Sequence, residues 1–274
     1  MTRLSVDGTH YETRTGGHGP AVLLIHGFTG RGADWGPCLP AIRGAGHTTI
    51  VVDLLGHGRS DAPLDPACHA IERQAADLAD ILRRLEATPA TVVGYSLGAR
   101  LALRLAVAHP AVVRALVLES PSAGIVDAAE RAVRRASDLE LAVRLEGDGL
   151  EAFVAAWEVS SLFATERLLP VSTQARIHAA RRRNRPDGLA ASLRGAGQGS
   201  MEPLVNRLSS IDCPTLVIAG ALDPVGLERA RVVAEGIQGA RLVSLPGRGH
   251  APHRESPAEF RRLLIDQLTA WRAA

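Results

Sequence analysis

The pentapeptide Gly94-Tyr95-Ser96-Leu97-Gly98 constrains this chain more than any other part of its sequence. An apolar run at 90–93 precedes it, and a helical pattern at 99–108 follows it. A G-x-S-x-G motif between a strand and a helix predicts a tight turn that holds the serine in a strained conformation above the sheet. The turn also places the serine at a helix N-terminus, where free N–H groups favour negative charge. Such a serine can attack a carbonyl or transfer a proton if a histidine and an acid reach it.

A candidate acid and a candidate base follow Ser96 along the chain, each in a loop after an apolar run. The apolar run at 215–219 leads to Asp223, and the run at 241–245 leads to His250. Serine, acid and histidine in this order, with the last two in loops at strand ends, are typical of the α/β-hydrolase fold. We therefore predict Ser96, Asp223 and His250 as a catalytic triad. Glu119, which ends the strand after the elbow helix, is an alternative acid, and we favour Asp223.

A second loop completes the predicted site. The apolar run at 22–25 leads into His26-Gly27-Phe28-Thr29-Gly30. The backbone N–H groups of Phe28 and Leu97 are predicted to donate hydrogen bonds to a developing oxyanion. Four other histidines do not follow a strand as His250 does, so we expect structural or exposed positions for them: His26, His57, His109 and His253.

Apolar runs that alternate with helical patterns predict the fold class. Strands are expected at 22–25, 49–52, 91–93, 115–118, 215–219 and 241–245, after a hairpin around Asp7-Gly8. Uniformly apolar strands separated by helices predict an α/β fold with a mostly parallel central sheet flanked by helices.

The region 121–205 interrupts this alternation. It contains no apolar strand run, and helical patterns lie at 127–145, 150–159, 171–183 and 189–194. We predict an all-helical cap, inserted before the acid-bearing strand, that covers the serine and forms most of the substrate pocket. The expected organisation is a first part of the core at 1–120, the cap at 121–205, and a second part of the core at 206–274.

Composition excludes several function classes. With 274 residues and a net charge of +2, the chain gives no electrostatic reason to bind nucleic acid or an anionic membrane. No segment is apolar for long enough to span a bilayer, and residues 1–14 lack the apolar core of a signal peptide. Cys38, Cys68 and Cys213 are dispersed, which predicts reduced thiols and a cytoplasmic location.

Every basic residue of the chain is arginine, because the sequence contains no lysine. An arginine here can therefore stand where another protein would use lysine, and its presence alone is weak support for carboxylate binding. Arg134 has acidic residues four positions away on both sides, which also suits an exposed ion-paired helix face. Arg181 and its neighbours could form a solvated helix end. Arg100, one helical turn after Ser96, either meets a substrate anion or needs a buried partner.

Together these residues resemble the family of 2-succinyl-6-hydroxy-2,4-cyclohexadiene-1-carboxylate synthases, α/β-hydrolase-fold lyases of menaquinone biosynthesis. The resemblance covers nearly the whole chain. Its most specific features are the Ser96-to-Arg100 spacing, Ser192-Leu193-Arg194-Gly195-Ala196-Gly197, and Gly249-His250-Ala251-Pro252-His253-Arg254-Glu255-Ser256-Pro257. The chain departs from the family at Ala99, at Leu55, and at Asn184-Arg185-Pro186 near Arg181.

The resemblance implies a role for each matching residue. It implies the same triad, the same two oxyanion donors, and the substrate contacts Tyr95, Arg100, Arg134, Trp157 and Arg181. It also implies a small polycarboxylate substrate and an elimination of pyruvate that uses Ser96 as a base. No metal or organic cofactor is implied.

Two other classes of function remain open from the sequence. One is a serine hydrolase of esters or carbon–carbon bonds with the same triad. It would have no use for Arg100 and Arg134 converging near Ser96. The other is a non-catalytic small-molecule binding protein on the same fold.

Overall fold

The apolar runs of the sequence form the six parallel strands of one eight-stranded sheet. The structure is a computed structural model that describes residues 2–273. The strands are β1 (Thr2–Val6), β2 (Thr9–Gly16), β3 (Ala21–Ile25), β4 (Thr48–Val52), β5 (Ala90–Tyr95), β6 (Val113–Glu119), β7 (Thr215–Gly220) and β8 (Arg241–Leu245). Their order across the sheet is β1-β2-β4-β3-β5-β6-β7-β8. β2 pairs antiparallel with both of its neighbours, and the strands from β4 to β8 pair in parallel, as the sequence predicted.

Helices cover both faces of this sheet. They are α1 (Leu39–Gly44), α2 (Ile71–Arg84), α3 (Leu97–Ala108), α4 (Ala128–Glu158), α5 (Val171–Arg181), α6 (Pro186–Ala196), α7 (Pro224–Gly236), α8 (Pro252–Glu255) and α9 (Pro257–Ala273). One apolar cluster packs α2, α3 and α7 on one face, and a second packs α1 and α9 on the other. Burial on both faces explains why strands such as β3 and β5 are apolar throughout.

The chain between β6 and β7 contains helices and, within residues 2–273, no strand. Gly149 has a non-helical backbone (φ 81°) and divides α4 at the boundary between two of the predicted helical patterns. A separate apolar cluster holds α4 to α6, with Leu145, Phe153 and Leu189 among its buried members. This agrees with an all-helical segment, and its role as a cap stays a prediction.

The parallel strands place three loops at one edge of the sheet. Tyr95 at the end of β5 pairs with Glu119 at the end of β6, and Gly220 at the end of β7 pairs with Leu245 at the end of β8. The loops that carry Ser96, Asp223 and His250 leave from these ends. Parallel pairing therefore brings together residues that lie far apart in the sequence.

None of the helices in the described part of the chain is long and apolar enough to cross a membrane.

Candidate active site

Ser96 occupies the sharp turn that its motif predicts. Its backbone has φ 51° and ψ −105°, in the region that L-residues rarely adopt, and its N–H donates to the carbonyl of Glu119 at 2.9 Å. A Cβ on Gly94 would lie 2.4 Å from the carbonyl oxygen of Gly98, and one on Gly98 would lie 2.2 Å from that of Ile25. Both positions therefore require glycine. Strain of this kind costs about 1–3 kcal/mol and is found where a site needs an exposed side chain.

Ser96, His250 and Asp223 form one hydrogen-bonded chain. The Ser96 Oγ lies 3.1 Å from His250 Nε2, and His250 Nδ1 lies 2.7 Å from Asp223 Oδ2. A proton on Nδ1 satisfies the carboxylate, which leaves Nε2 free to accept the serine proton. The three predicted triad residues are thus within reach of one another, with nucleophile, base and orienting acid in sequence.

Asp223 is fixed by its place at the start of α7. Its second oxygen accepts a hydrogen bond from the Gly226 N–H at 2.8 Å and caps the helix. Burial raises the pKa of Asp223, but the hydrogen bond and charge of His250 outweigh it, so its pKa lies below the ordinary value. The carboxylate therefore stays ionised and can hold His250 in one orientation.

Glu119, the alternative acid, contacts His253 and not His250. One of its oxygens accepts from the backbone N–H of His253 at 2.8 Å and lies 2.9 Å from His253 Nδ1. Glu119 is fully buried. The structure therefore places Asp223, and not Glu119, on the histidine that reaches Ser96.

The remaining histidines have structural contacts. His26 Nε2 accepts from the Leu54 N–H at 3.0 Å, and His57 Nδ1 lies 3.0 Å from the Leu55 carbonyl. Burial lowers the pKa of both rings, so they remain neutral. His109 ends α3. These positions agree with the expectation that none of them replaces His250.

A cavity of about 120 Å³ opens beside Ser96. Seven of the ten predicted site residues line it: Phe28, Ser96, Leu97, Arg100, Arg134, Trp157 and His250. The cavity lining also includes residues that were not predicted from the sequence, among them Ser122, Asp138, Ser192, Gln198 and Arg229. The cavity lies between the elbow, the helices α4 and α6, and the first turns of α7.

Arg100 reaches the cavity without an acidic partner. Its Nη1 donates to the carbonyl of Ala196 at 2.8 Å and approaches Met201 Sδ at 3.8 Å. Burial, together with the nearby charge of Arg134, lowers the pKa of Arg100 to about 10. The guanidinium remains charged at neutral pH, and a substrate anion would offset that charge.

Arg134 both pairs with its helix neighbour and faces the cavity. Its Nε donates to Asp138 at 2.8 Å, and Asp138 is only 1% exposed. Its Nη1 donates to Gln198 Oε1 at 3.1 Å. The predicted ion-paired helix face is therefore present, but it lies at the cavity and not in open solvent.

Arg229 is a third arginine at the cavity, and it was not predicted from the sequence. Its Nη1 donates to the same Gln198 oxygen at 3.3 Å, so one amide bridges Arg134 and Arg229. Burial and the charge of Arg134 lower the pKa of Arg229. A signal existed in the sequence, because Arg229 lies six residues after the triad acid on a helix that starts at the site.

An aromatic wall closes one side of the cavity. The ring of Trp157 stacks on Phe153 at 5.7 Å and meets Phe28 and Phe163 edge-on at 5.6 Å each. Within residues 2–273, neither Trp157 Nε1 nor Ser192 Oγ finds a hydrogen-bond partner, although both atoms are buried. Each is available to hydrogen-bond a ligand.

Two predicted substrate contacts lie elsewhere. Tyr95 is buried behind the site between His250 and His253, and burial raises its pKa well above the usual range. Arg181 donates to Glu158 at 2.9 Å and to Glu166 at 2.7 Å, and its side chain is 3% exposed. Neither side chain lines the Ser96 cavity. The resemblance implies that both residues contact substrate. In this structure the Tyr95 ring packs against His250 and His253, and the Arg181 guanidinium is paired with Glu158 and Glu166.

Residues 2–273 contain no cluster of three or more His, Cys, Asp or Glu side chains arranged to hold a metal ion.

Comparison with known proteins identifies the family. Residues 22–263 match the alpha/beta hydrolase family. A Bacillus subtilis protein named as 2-succinyl-6-hydroxy-2,4-cyclohexadiene-1-carboxylate synthase is 38% identical over 269 residues, 96% of either chain. A Variovorax paradoxus protein named as the carbamate hydrolase RutD is 35% identical, over 94% of this chain and 95% of that one. The structure of MenH from S. aureus matches with a TM-score of 0.91 at 29% identity, over 95% of this chain and 98% of that one. The predicted fold class and resemblance are confirmed: this chain belongs to the alpha/beta hydrolase family, in the group of the 2-succinyl-6-hydroxy-2,4-cyclohexadiene-1-carboxylate synthases.

Proposed function

We propose that this protein eliminates pyruvate from 2-succinyl-5-enolpyruvoyl-6-hydroxy-3-cyclohexene-1-carboxylate to give 2-succinyl-6-hydroxy-2,4-cyclohexadiene-1-carboxylate. The observation that carries the proposal is the charge of the cavity beside Ser96. Three guanidinium groups line it, from Arg100, Arg134 and Arg229, against the single carboxylate of Asp138. A substrate with several carboxylates fits this excess of positive charge.

Energetics favour an anionic ligand over a neutral one. Charges of the same sign in a partly buried site repel, and each loses its water shell. The lowered pKa values of Arg100 and Arg229 report this cost. Guanidinium groups bind carboxylates through paired, charged hydrogen bonds. A polycarboxylate would relieve the repulsion, whereas a neutral ester would leave it in place.

The triad supplies the proton chemistry. Ser96 would remove the proton adjacent to a substrate carbonyl and pass its own proton to His250 Nε2, 3.1 Å away. Asp223 would hold the ring and stabilise the imidazolium that forms. The electron pair then moves through the ring and breaks the bond to the enolpyruvyl oxygen, so that enolpyruvate leaves. Enolpyruvate takes up one proton at its methylene carbon to become pyruvate, and His250 gives up its extra proton, which restores the triad. In this reaction Ser96 acts as a base and is not acylated.

The negative charge that develops on the substrate's carbonyl oxygen must be stabilised by hydrogen-bond donors. Phe28 and Leu97 both line the cavity next to Ser96. We assign their backbone N–H groups to the enolate oxygen, since Leu97 begins α3 and its N–H has no partner within the helix. Trp157 Nε1 and Ser192 Oγ would donate to other oxygens of the substrate.

Substrate entry requires the segment 121–205 to move. The cavity holds about 120 Å³, whereas pockets for ligands of this size usually measure about 300–1,000 Å³. Residues of α4 and α6 form its roof. We therefore propose that this segment acts as a cap that opens to admit substrate and closes over it.

The experiment is an assay of pyruvate release. The purified protein is incubated with the enolpyruvyl precursor, and pyruvate is measured with lactate dehydrogenase and NADH. We expect turnover that falls by several orders of magnitude in Ser96→Ala. No release above the uncatalysed rate, from a protein that is folded by circular dichroism, would contradict the proposal.

A serine hydrolase is the second candidate, and the relative named as a carbamate hydrolase supports it. The same triad would then acylate Ser96 and release the acyl group to water. Rapid hydrolysis of neutral esters or carbamates, with no pyruvate released from the precursor, would favour this candidate. A binding protein without activity would show neither reaction.

A cytoplasmic location is proposed from the cysteines. Cys38, Cys68 and Cys213 are all free, as expected for a reducing compartment.

A further inference from the structure

A second cleft lies apart from the Ser96 cavity. It measures about 420 Å³ and is formed by α5, the 3₁₀ turn Gly32–Trp35, and the helices α8 and α9. No residue lines both this cleft and the Ser96 cavity. We call it the arginine cleft, after the six arginines that line it: Arg31, Arg176, Arg181, Arg183, Arg254 and Arg261.

The arginine cleft is strongly positive, whereas the charges of the whole chain are nearly balanced. The chain has 31 basic and 29 acidic residues, close to balance. Six of the basic residues line the cleft, but Asp34 is the only acidic residue that does. A concave surface with charges of one sign concentrates its field and attracts counter-ions.

Two of the six arginines are used in the fold. Arg181 is held by Glu158 and Glu166, as described above. Arg254 donates to Glu166 and to Asp34, both at 3.3 Å. These ion pairs connect α5 and the turn before it to the core. Asp34, the acidic residue that lines the cleft, is therefore already paired with Arg254.

The other four arginines keep free hydrogen-bonding capacity. Arg31 Nε is buried without a hydrogen-bond partner in the described chain, and its nearest carboxylate oxygen, on Asp34, is 3.9 Å away. Within the described chain, the Arg261 side chain donates to the Pro37 carbonyl alone, at 3.3 Å. The side chains of Arg176 and Arg183 are exposed and form no ion pair or hydrogen bond with any part of residues 2–273.

We propose that the arginine cleft binds a small anion with two or more negative groups, either phosphates or carboxylates. Paired N–H donors on guanidinium match both groups in geometry and charge. The cleft volume falls in the range of small-ligand pockets. Such an anion would neutralise Arg176, Arg183 and Arg261, which form no ion pair within the described chain, and would offer Arg31 a closer partner than Asp34 at 3.9 Å. This site is separate from the proposed reaction and does not depend on it.

The test is isothermal titration calorimetry at low ionic strength, where screening is weakest. Inorganic pyrophosphate and citrate serve as the phosphate and carboxylate probes, and the tighter binder identifies the class of ligand. We expect Arg31→Gln and Arg183→Gln each to raise the Kd about tenfold or more, because each removes a paired contact worth about one decade. Arg183 is exposed, so its replacement leaves the fold intact.

Two variants serve as controls. Arg182→Gln changes a neighbouring exposed arginine that pairs with Glu151 and does not line the cleft. Arg134→Gln changes the Ser96 cavity. Both should leave the Kd unchanged. The proposal is wrong if neither probe binds with a Kd below about 1 mM, if Arg31→Gln and Arg183→Gln have no effect, or if Arg134→Gln alone abolishes binding.

Discussion

Replacing Arg100 with methionine should separate a substrate-binding arginine from a structural one. Arg100 is buried at the cavity beside Ser96, and its contacts are the Ala196 carbonyl and the Met201 sulfur. Methionine keeps a long unbranched side chain and high helix propensity but removes the charge. We expect Arg100→Met to lose activity without losing stability. A residue with only a structural role would show the reverse.

The expected change in the free energy of unfolding follows from the burial and contacts of Arg100. Burial lowers the pKa of Arg100 by more than two units, to about 10. Since one pKa unit corresponds to about 1.4 kcal/mol, holding the charge there costs on the order of 3 kcal/mol. Removing it also leaves the Ala196 carbonyl unpaired, at a cost of about 1–3 kcal/mol. The free energy of unfolding should therefore stay the same or rise by up to about 2 kcal/mol.

The effect on catalysis should be opposite and larger. A substrate carboxylate left unpaired in the closed site costs about 2–5 kcal/mol. That corresponds to a fall in kcat/KM of about 30-fold to several thousand-fold. Coupled pyruvate assays give kcat/KM, and denaturant titrations give the free energy of unfolding on the same preparations.

Arg104 provides the matched control. It lies one turn further along α3, and its Nη2 pairs with Glu72 at 2.8 Å and with Glu202 at 3.2 Å. Arg104→Met should lower the free energy of unfolding by about 1 kcal/mol and leave kcat/KM unchanged. If Arg100→Met instead destabilised the protein and kept its kcat/KM, the carboxylate-binding account of the cavity would be refuted.

Three further predictions concern the acid, the third arginine and the buried histidines. Asp223→Asn should lower kcat by about four orders of magnitude, whereas Glu119→Gln should keep it within about tenfold; the opposite result would transfer the acid role to Glu119. Arg229→Met should raise KM about tenfold or more, and the exposed Arg231→Met should not; equal effects would remove Arg229 from the substrate site. Burial lowers the pKa of His57 well below 6.5, so the unfolded chain binds its proton first, and stability should be lost as the pH falls below 6.5. Denaturant titrations from pH 7.5 to 5 should show this fall, and His57→Asn should reduce it; identical profiles would contradict the assignment.

The strands and the triad could be predicted because their signals are local. Apolar runs predicted β8 at its observed bounds and the parallel strands β3 to β7 to within two residues. The G-x-S-x-G motif predicted a conformation that the backbone of Ser96 adopts. Strand ends in a parallel sheet share one edge, so the loop positions of Asp223 and His250 were sufficient to place them near each other.

The arginines were harder to predict because their partners are distant in sequence. Gln198 bridges Arg134 and Arg229 across separations of 64 and 31 residues, and no local pattern specifies that contact. Arg181 was selected for its position in a motif, yet Glu158 and Glu166 occupy its guanidinium. The direction of an arginine side chain decides whether its guanidinium faces a ligand or pairs with a carboxylate of the protein. The spacing of residues along one helix does not determine that direction.

The choice between Asp223 and Glu119 shows the same limit. Glu119 is the last residue of β6 and Asp223 follows β7, so both lie at the same edge of the sheet. The sequence favoured Asp223, and the three-dimensional arrangement separates the two, since Glu119 contacts His253 and Asp223 contacts His250.

The most direct test of the proposed reaction compares two specificity constants on one preparation. The first is kcat/KM for pyruvate release from the enolpyruvyl precursor, and the second is kcat/KM for hydrolysis of p-nitrophenyl acetate. A cavity with three arginines around Ser96 predicts that the first exceeds the second by at least about a thousandfold, or about 4 kcal/mol of transition-state stabilisation. An ester constant equal to or above that for pyruvate release would contradict the account and assign the triad to hydrolysis.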